Sequence, residues 1–524
     1  MRWGLYGLWA LTAVLLVTGA VRSVAQEPAS DTSAAVMPAG TTSAEAQAQT
    51  PTAGAQTQTP SAAERVRQAR EQVHTPLHER LVSVLGLVVL LLIAWALSVD
   101  RRTVQWRVVL WGVGLQLAFA VFILKTAVGA MIFSGMNDVI VALLGFTVDG
   151  ARFLFGNLVF DNIPVGAGVS GTSGPVQVVA GHVAQAGASF AFNVLPTIIF
   201  FSSLMTLMYY LGIMQAVVKG AAWVMMRTMH TSGAETLSTA GNIFVGQTEA
   251  PLLIKPFIEK MTMSELMAVM TAGFATVAGG VMAAYVGMLV AYFPDIAGHL
   301  LAASVMSAPA ALVVAKLMYP EHDEAVTATT LRVSVASEDA NVIDAAARGA
   351  GDGLRLALNV GAMLLAFIAL IALLNALLGW ATGVVGLTGW LQAHGVLHAG
   401  QNLTLEHLLG WILAPVAWIM GVPWHDATTV GSLLGVKTVV NEFVAYLQLQ
   451  HLLASGASLS PRSVIIATYA LCGFANFSSI AIQIGGIGGI APSRRSDLSR
   501  LGLRAMIAGT IAAFMTATIA GMLI

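Results

Sequence analysis

Long apolar segments separated by short polar stretches occupy the chain from about residue 80 onward. A helix of about 20 apolar residues is long enough to cross the ~30 Å hydrocarbon core of a bilayer. Eight segments reach this length, so the pattern predicts eight transmembrane helices. They lie near residues 82–99, 108–124, 190–214, 264–290, 298–315, 359–378, 464–490 and 505–523.

Two further segments, 232–258 and 424–452, are apolar but interrupted by polar side chains. Neither is a clean span, and each is followed by two of the predicted helices. Interrupted segments at corresponding places in two halves are typical of transporters built from an inverted repeat. We therefore interpret both as re-entrant hairpins. The apolar patches within 386–423 are expected to lie along the membrane interface.

The distribution of Lys and Arg predicts the orientation of the chain. If the mature N-terminus lies outside, the inner loops hold fifteen of these residues and the outer loops hold four. The excess of positive charge belongs on the cytoplasmic side, so both ends of the chain are expected outside an inner (plasma) membrane. The first hairpin then enters from the cytoplasm and the second from outside. A crossing by either hairpin alone would remove the charge asymmetry.

The N-terminal region has features of a secreted segment. Arg2, an apolar stretch over 5–19 and small residues at 23–25 indicate a signal peptide over 1–25, with an uncleaved signal anchor as the alternative. Residues 26–63 are mainly Ala, Thr, Ser, Gln, Pro and Glu, a composition that cannot bury a core. We expect 26–79 to be a disordered extracytoplasmic tail that ends in a short surface helix.

Composition supports this class of protein and excludes others. Hydrophobic residues make up 57% of the chain and charged residues 10%, with a mean hydropathy of +0.78, whereas soluble domains carry about 25% charged residues. The predicted fold class is therefore an all-α polytopic membrane protein. A net charge of −1 without a basic tract argues against nucleic-acid binding. The sequence lacks HExxH, G-x-S-x-G and Walker A motifs, which argues against an enzyme and against an ATP-driven pump.

Polar side chains at membrane depth are the candidate chemistry. Ionisable groups there are costly and are functional by default, and broken helices present free amide and carbonyl groups to a solute or a cation. The predicted seventh span also contains GGIGGIAP at 485–492, where we expect the helix to break. The polar residues are Asn242, Gln247, Thr248, Glu249, Thr276, Lys437, Asn441, Glu442, Asn476, Ser478 and Ser479.

Structural roles remain open for several of these residues. Glu442 could form a buried ion pair with Lys437 that staples the second hairpin. Glu249 could cap a hairpin tip, and Asn242 could satisfy the backbone at the same break. Asn476 and Ser479 could serve as hydrogen-bonding contacts between helices.

Several long motifs resemble the concentrative nucleoside transporter family, and the resemblance covers residues 80–524. The motifs are GQTEAPLLIKPF, SELMAVMTAGFATVAGGVMAAY, GVKTVVNEFVAYLQL, YALCGFANFSSIAI and LGLRAMIAGTIAAFMTATIAG. The resemblance implies a homotrimeric symporter with a scaffold domain and a transport domain that moves by an elevator mechanism. It implies nucleosides as substrates, sodium as the coupling ion and membrane lipid as the surroundings.

The resemblance also implies a role for individual residues, matched motif by motif. The nucleobase would be read by Gln247, Thr248 and Glu249, with Val281 lining that side. The ribose hydroxyls would bind Glu442, Asn476 and Ser479, with Phe474 lining the site. The sodium ligands would be Asn242, the carbonyls of Val245 and Val277, and the hydroxyl of Thr276, which stands where some members have a serine.

The sequence favours a particular substrate range and coupling ion without excluding the alternatives. Gly246 leaves space beside the base, which favours tolerance of purine nucleosides besides uridine. The hairpin motif GQTEAP is closer to sodium-coupled members than to proton-coupled members with GQSENF. The alternatives are a proton-coupled symporter, a passive channel and a nucleoside-responsive receptor.

These inferences divide the chain into six regions. They are the signal over 1–25, the tail over 26–79, N-terminal scaffold helices over 80–214, the first hairpin and transport helices over 215–318, a linker with a scaffold helix and an outer interfacial segment over 319–423, and the second hairpin with the C-terminal transport helices over 424–524.

Overall fold

The computed structural model describes residues 75–160, 162–167, 177–185, 190–327, 339–457 and 459–524. The predicted signal peptide and nearly all of the predicted tail lie outside these residues. The α-helices are α1 (Leu77–Ala96), α2 (Trp106–Lys125), α3 (Ala127–Phe155), α4 (Leu195–Tyr210), α5 (Ile213–Met229), α6 (Gly233–Gly241), α7 (Met263–Ala275), α8 (Gly279–Leu289), α9 (Ile296–Met318), α10 (Val342–Val384), α11 (Leu387–Ala393), α12 (Leu405–Ile419), α13 (Trp424–Val439), α14 (Glu442–Ala454), α15 (Pro461–Leu471), α16 (Phe477–Ile490) and α17 (Arg495–Leu523).

Among the described residues, eight helical segments are long and apolar enough to cross a membrane. This confirms the predicted polytopic helical class. The eight segments differ from the predicted set, because Ala127–Val159 is a candidate span that the hydropathy pattern did not single out. Asn137 and Asp138 interrupt the apolar run of α3, which explains the omission. The predicted span 464–490 is instead two short helices, α15 and α16.

Two runs of helices repeat the same order. In the first run, α4 and α5 lead to a hairpin of α6 and 3₁₀ turns over Ala250–Ile254 and Ile258–Lys260, and α7, α8 and α9 follow. In the second run, α10 and α12 lead to a hairpin of α13 and α14, and α15, α16 and α17 follow. Each run therefore contains a hairpin and then a helix that is broken into two halves. This arrangement agrees with the repeat that the sequence indicated.

Each hairpin begins at a residue with left-handed backbone geometry. His230 ends α5 with φ of 56°, and Gly421 follows α12 with φ of 102°. The chain bends by 118° between α12 and α13, and the two helices pack against each other. The segment 386–423, expected along the interface, thus contributes a helix that is paired with the second hairpin.

The broken helix of the second repeat breaks earlier than expected. The prediction of a break at GGIGGIAP was wrong, because α16 continues to Ile490. The break is at 472–476, where Gly473 has φ of 140° and the Asn476 side chain accepts from the Ser479 backbone N–H at 2.9 Å. A glycine inside a helix costs only about 1 kcal/mol relative to Ala, whereas an Asn cap satisfies a free backbone donor and starts a new helix.

A buried core forms around α7, α9 and the second half of α17. Nearly all residues of α7 and α9 are buried, and so are residues 511–521 of α17. Helices α1 and α2 pack against this core, on α17 and α9. Helices α4 and α10 pack along each other, and α8 packs on α4. Gly349 and Gly353 permit the close approach, since a Cβ atom at Gly353 would lie 2.7 Å from the Ile199 Cα atom.

A buried ion cluster anchors the first hairpin to the core. The Lys316 ammonium of α9 lies 2.8 Å from the Glu235 carboxylate of α6 and 3.0 Å from the Glu321 carboxylate. It also donates to the Ser264 hydroxyl at 3.0 Å. Lys316 directly follows the predicted span 298–315 and is one of the fifteen Lys and Arg residues assigned above to inner loops. Its charge is instead balanced inside the protein, which makes removal of either partner costly.

One short β-hairpin was not predicted. Strands β1 (Asn162–Ala167) and β2 (Gln177–Gln185) pair antiparallel, with Asn162 opposite Gln185. The stretch 156–188 lies between the predicted spans 108–124 and 190–214, and we assigned no role to it. The Val-rich sequence of β2 favours a strand, but no helical or strand periodicity marks it clearly in the sequence.

Candidate functional site

The tip of the second hairpin places a carboxylate against two other elements. Asn441 caps α14, and Glu442 is the first residue of that helix. One Glu442 oxygen accepts from the Tyr285 hydroxyl of α8 at 3.0 Å, and the other accepts from the Asn476 side-chain amide at 2.8 Å. Lys437 donates to the Ala470 carbonyl at 2.8 Å instead of pairing directly with Glu442. The hairpin tip is therefore joined to the first repeat and to the break of its own repeat.

The tip of the first hairpin contacts the second repeat. The Gln247 amide donates to the Ser479 hydroxyl of α16 at 3.2 Å, and Gln483 donates to the Gln247 side-chain oxygen at 3.0 Å. Thr248 lies against the same helix, because a Cβ atom at Gly486 would lie 2.7 Å from the Thr248 methyl group. This tip therefore lies against α16, while the second tip reaches α8.

The two tips meet in one cluster of polar side chains. The Asn476 side chain connects them, since its amide group donates to Glu442 and its oxygen accepts from the Ser479 backbone. The side chains of Gln247, Glu442, Asn476 and Ser479 are all buried. Buried polar groups need partners, and here they satisfy one another. A polar solute that enters between the tips would exchange these bonds for its own.

Three other predicted residues lie around this cluster. Val281 is buried on α8, one helical turn before Tyr285. Phe474 is half-buried in the break before α16, and its backbone N–H donates to the Thr276 carbonyl at 3.3 Å. Ser478 donates to the Asn476 side-chain oxygen at 2.7 Å, which helps to orient that side chain.

Glu249 lies at the tip of the first hairpin, two residues after Gln247. Its carboxylate accepts from the Gly246 backbone N–H at 3.2 Å, as expected for a residue that caps the hairpin tip. The side chain lines a cavity of about 460 Å³ between the first hairpin, α4 and the start of α10. Tyr209, Arg348 and Asp352 line the same cavity. Within the described residues, no hydrogen bond joins the Glu249 carboxylate to the side chain of Gln247 or Thr248.

The predicted cation ligands are oxygen atoms whose lone pairs are not used in hydrogen bonds within the described part of the chain. The Asn242 side-chain oxygen is buried and has no hydrogen-bond partner among the described residues. The Val245 and Val277 carbonyls likewise accept no hydrogen bond from any residue that the structure describes. The Thr276 hydroxyl donates to the Ala272 carbonyl at 2.8 Å and keeps its lone pairs. Neutral oxygen donors suit a hard cation, so these residues fit a sodium ion.

Two site residues were missed at the sequence level. Tyr285 holds Glu442, and Gln483 holds Gln247, with a second bond from Gln483 to the Met270 carbonyl at 3.1 Å. For both residues, the helical spacing from a predicted site residue could have indicated the role. Gln483 follows Ser479 by one helical turn, and Tyr285 follows Val281 by one turn, so each lies on the same helix face as a predicted residue. A polar residue that lies one helical turn from a predicted site residue, in an otherwise apolar run, is a candidate for the same site.

The fold and this site define a class of protein. A membrane protein with two hairpins in matching places, two broken helices and a polar site between the hairpin tips has the architecture of a secondary transporter.

Comparison with family models identifies the family. Residues 85–158 match the model described as "Na+ dependent nucleoside transporter N-terminus", residues 191–292 match "Nucleoside recognition", and residues 299–521 match "Na+ dependent nucleoside transporter C-terminus". The chain belongs to the concentrative nucleoside transporter family, as its motifs indicated. Members are integral multi-pass membrane proteins.

Relatives include both characterised and uncharacterised transporters. Sodium/nucleoside cotransporter 1 of Rattus norvegicus is 41% identical over 458 residues, which cover 85% of this chain and 64% of the relative. The chain thus spans somewhat less than two thirds of the length of that relative. An uncharacterised transporter of Haemophilus influenzae is 44% identical over 447 residues, which cover 85% of this chain and 98% of the relative.

Solved structures of the transporter CNTnw have the same fold. In an inward-facing, substrate-bound state it is 42% identical, with a TM-score of 0.71 over 84% of this chain and 97% of that chain. A double variant of CNTnw in an outward-facing state is 40% identical, with a TM-score of 0.74 over 86% of this chain and 98% of that chain.

Proposed function

We propose that this protein imports nucleosides across the inner membrane and that the sodium gradient drives the import. The observation that carries the proposal is the polar cluster between two hairpin tips from opposite repeats, together with the unpaired Asn242 oxygen in the first of these hairpins. The names of the relatives support both the substrate class and the ion. We also propose that both ends of the mature chain lie outside the cytoplasm.

The chemistry of the cluster matches the two parts of a nucleoside. A nucleobase has donors and acceptors along its edges, and the Gln247 amide and Thr248 hydroxyl supply both. A ribose has neighbouring hydroxyls, and an ionised Glu442 carboxylate accepts from hydroxyls through strong, charge-assisted hydrogen bonds. Asn476 and Ser479 add further partners for the sugar. Val281 and Phe474 supply apolar surface against the flat base.

A sodium ion would be held by the side-chain oxygens of Asn242 and Thr276 and by the carbonyls of Val245 and Val277. These ligands come from the first hairpin tip and from the break between α7 and α8. An ion bound there would supply positive charge to both segments at once. In the proposed site, the residues of the tip that face the nucleoside start at Gln247, which only Gly246 separates from Val245. Cation binding and nucleoside binding would therefore depend on the same position of the tip.

We propose an elevator-type motion in a homotrimer. Helices α4 and α10 pack chiefly along each other and form the centre of the fixed scaffold, while the hairpins and broken helices move together as the transport domain. The sequence assigned all of 80–214 to the scaffold. Helices α1 and α2 of that region pack on α17 and α9. If α1 and α2 belong to the fixed scaffold, α17 and α9 slide along them during transport.

Uptake of labelled uridine into proteoliposomes tests the proposal, with an inward sodium gradient or an inward proton gradient imposed separately. We expect accumulation above the outside concentration with sodium alone. Accumulation with protons alone would indicate proton coupling, with the Glu249 or Glu442 carboxylate as the group that carries the proton. Equilibration without accumulation would indicate a channel, and binding without flux would indicate a receptor. No uptake of uridine, adenosine or other nucleosides would contradict the substrate class.

A further inference from the structure

Lys437 is a fully buried cation in the last turn of α13. Its ammonium group donates to the Ala470 carbonyl at 2.8 Å, which is its one hydrogen bond within the described residues. The other buried lysine, Lys316, lies within salt-bridge distance of two carboxylates. Removal of an ammonium group from water costs several kcal/mol, so the position of Lys437 requires an explanation beyond packing.

Lys437 contacts the C-terminal end of α15, where the helix carries a partial negative charge. Ala470 belongs to the last turn of α15, directly before the break at 472–476. The C-terminal end of a helix carries free carbonyls and about half of a negative charge. In a membrane no bulk water is present to satisfy these carbonyls, and such ends of broken helices coordinate cations in transporters.

The matching place in the first repeat is the candidate sodium site. There, α6 corresponds to α13 and α7 corresponds to α15. Asn242 follows the last residue of α6, and Thr276 follows the last residue of α7. The candidate sodium ligands therefore come from the end of the first hairpin helix, α6, and from the C-terminal end of α7, which is the first half of the broken helix. Lys437 connects the same two elements in the second repeat.

The two repeats differ in what they supply at this place. The first repeat offers neutral oxygens, with the Asn242 side-chain oxygen left unpaired, and so leaves a place for a mobile cation. The second repeat supplies a positive charge of its own, on a side chain whose length lets it reach from α13 to the end of α15. The ammonium also attracts the nearby Glu442 carboxylate electrostatically, although the direct partners of Glu442 are Tyr285 and Asn476.

We infer that Lys437 is a tethered cation that stands in the second repeat at the position where the first repeat takes a sodium ion. One sodium ion, instead of two, then accompanies each nucleoside. The stoichiometry of one sodium ion rests on the proposed sodium-coupled function. The fixed positive charge at the end of α15 is independent of that function.

The first test measures nucleoside binding to the purified protein by calorimetry, with NaCl exchanged for choline chloride at constant ionic strength. We expect a Hill coefficient for sodium near one in the wild type. In Lys437→Met, which removes the charge and keeps the length, we expect the coefficient to rise toward two and half-saturation to need at least tenfold more sodium. Lys437→Arg should keep a coefficient near one. Lys437→Arg is thus the matched control, because it changes the same side chain and keeps the positive charge.

The second test needs neither sodium nor nucleoside. Lys437→Ala leaves room for a small amine, so ethylammonium chloride should raise its thermal unfolding midpoint by several degrees more than it raises that of the wild type. Propanol, which has a similar size and no charge, should lack this effect. An unchanged sodium dependence in Lys437→Met, together with no amine-specific stabilisation of Lys437→Ala, would overturn the inference. A wild type that binds nucleoside without sodium would contradict the proposed coupling, and the amine test would still decide the role of Lys437.

Discussion

Glu442 shows how single side chains build this site. The carboxylate lies at the first residue of α14, and its two oxygens accept from two different elements, through Tyr285 and Asn476. Neither partner is near it in sequence. The same arrangement recurs at Gln247, which is held by Ser479 and Gln483. Each hairpin tip therefore presents a polar side chain that is already oriented by neighbours on other helices.

Replacement of Glu442 by Gln should weaken nucleoside binding by about 10- to 100-fold. The substitution keeps the shape of the side chain but removes the negative charge, and hydrogen bonds to charged groups are worth roughly 1.5–3 kcal/mol. Calorimetry with uridine and with 2′- and 3′-deoxyuridine measures the effect. The variant should discriminate less between uridine and the deoxy sugar whose hydroxyl is bonded to Glu442.

Tyr285→Phe is the matched control for this prediction. It removes one donor to Glu442 and leaves the charge, so its loss of affinity should be smaller than that of Glu442→Gln. Thermal unfolding of both variants checks that the fold is intact. Wild-type affinity in a folded Glu442→Gln variant would show that this carboxylate does not contact the substrate.

The two broken helices meet at their breaks. The Phe474 backbone N–H, after α15, donates to the Thr276 carbonyl, after α7, at 3.3 Å. Gly473 makes this approach possible, since a Cβ atom there would lie 2.8 Å from the Phe274 carbonyl oxygen. Its φ of 140° is also a conformation that other residues rarely adopt. The breaks thus position the Thr276 oxygens and the Asn476 side chain relative to each other.

Gly473→Ala should lower stability by about 1–3 kcal/mol, the usual cost of one residue held in a sparsely populated backbone conformation. It should also reduce uptake, because the added methyl group pushes the two breaks apart. Thermal unfolding and proteoliposome uptake measure the two effects. Gly489→Ala is the control, since nothing lies within 4 Å of a Cβ atom there and Ala favours the helix. Equal stability of the two variants would contradict the assigned role of Gly473.

Two groups of helices make up the molecule as a whole. Helices α4 and α10 pack along each other, the buried core around α7, α9 and α17 carries the first hairpin, and the second hairpin packs on α12 and α15. Helix α8 contacts α4 and also supplies Tyr285 to the candidate site. The contact of α8 with α4 is therefore a surface across which the proposed transport domain would have to slide.

A disulfide across this surface should stop transport. A Cβ atom at Gly280 of α8 would lie 4.0 Å from the Phe201 Cβ atom of α4, within the range of a disulfide. We expect Phe201→Cys with Gly280→Cys, in a Cys472→Ala background, to lose nearly all uridine uptake on oxidation and to regain it on reduction. Nucleoside binding should persist in the oxidised protein.

The Cys472→Ala single variant, which leaves no thiol in the chain, is the control for the oxidant itself. Full uptake by the fully oxidised double variant would show that α8 does not move relative to α4. That result would exclude an elevator motion across this surface while leaving the binding site unchallenged.

The sequence alone determined the membrane class, the two hairpins, most spans and the motifs that carry the site residues. It could do so because these properties are local. A bilayer demands long apolar helices with satisfied backbones, and any interrupted segment or ionisable side chain is then conspicuous. The hairpins at 232–258 and 424–452 were located on this basis and agree with α6 to Lys260 and with α13 to α14.

Only the tertiary structure decided which distant residues meet. Packing brought Tyr285 to Glu442, Gln483 to Gln247 and Lys437 to the Ala470 carbonyl. It also placed the break of the second repeat at 472–476, because the contact of Gly473 with Phe274 is made across the fold. Hydropathy describes each segment by itself, whereas these contacts depend on how the two repeats pack together, and that information is present in no single segment.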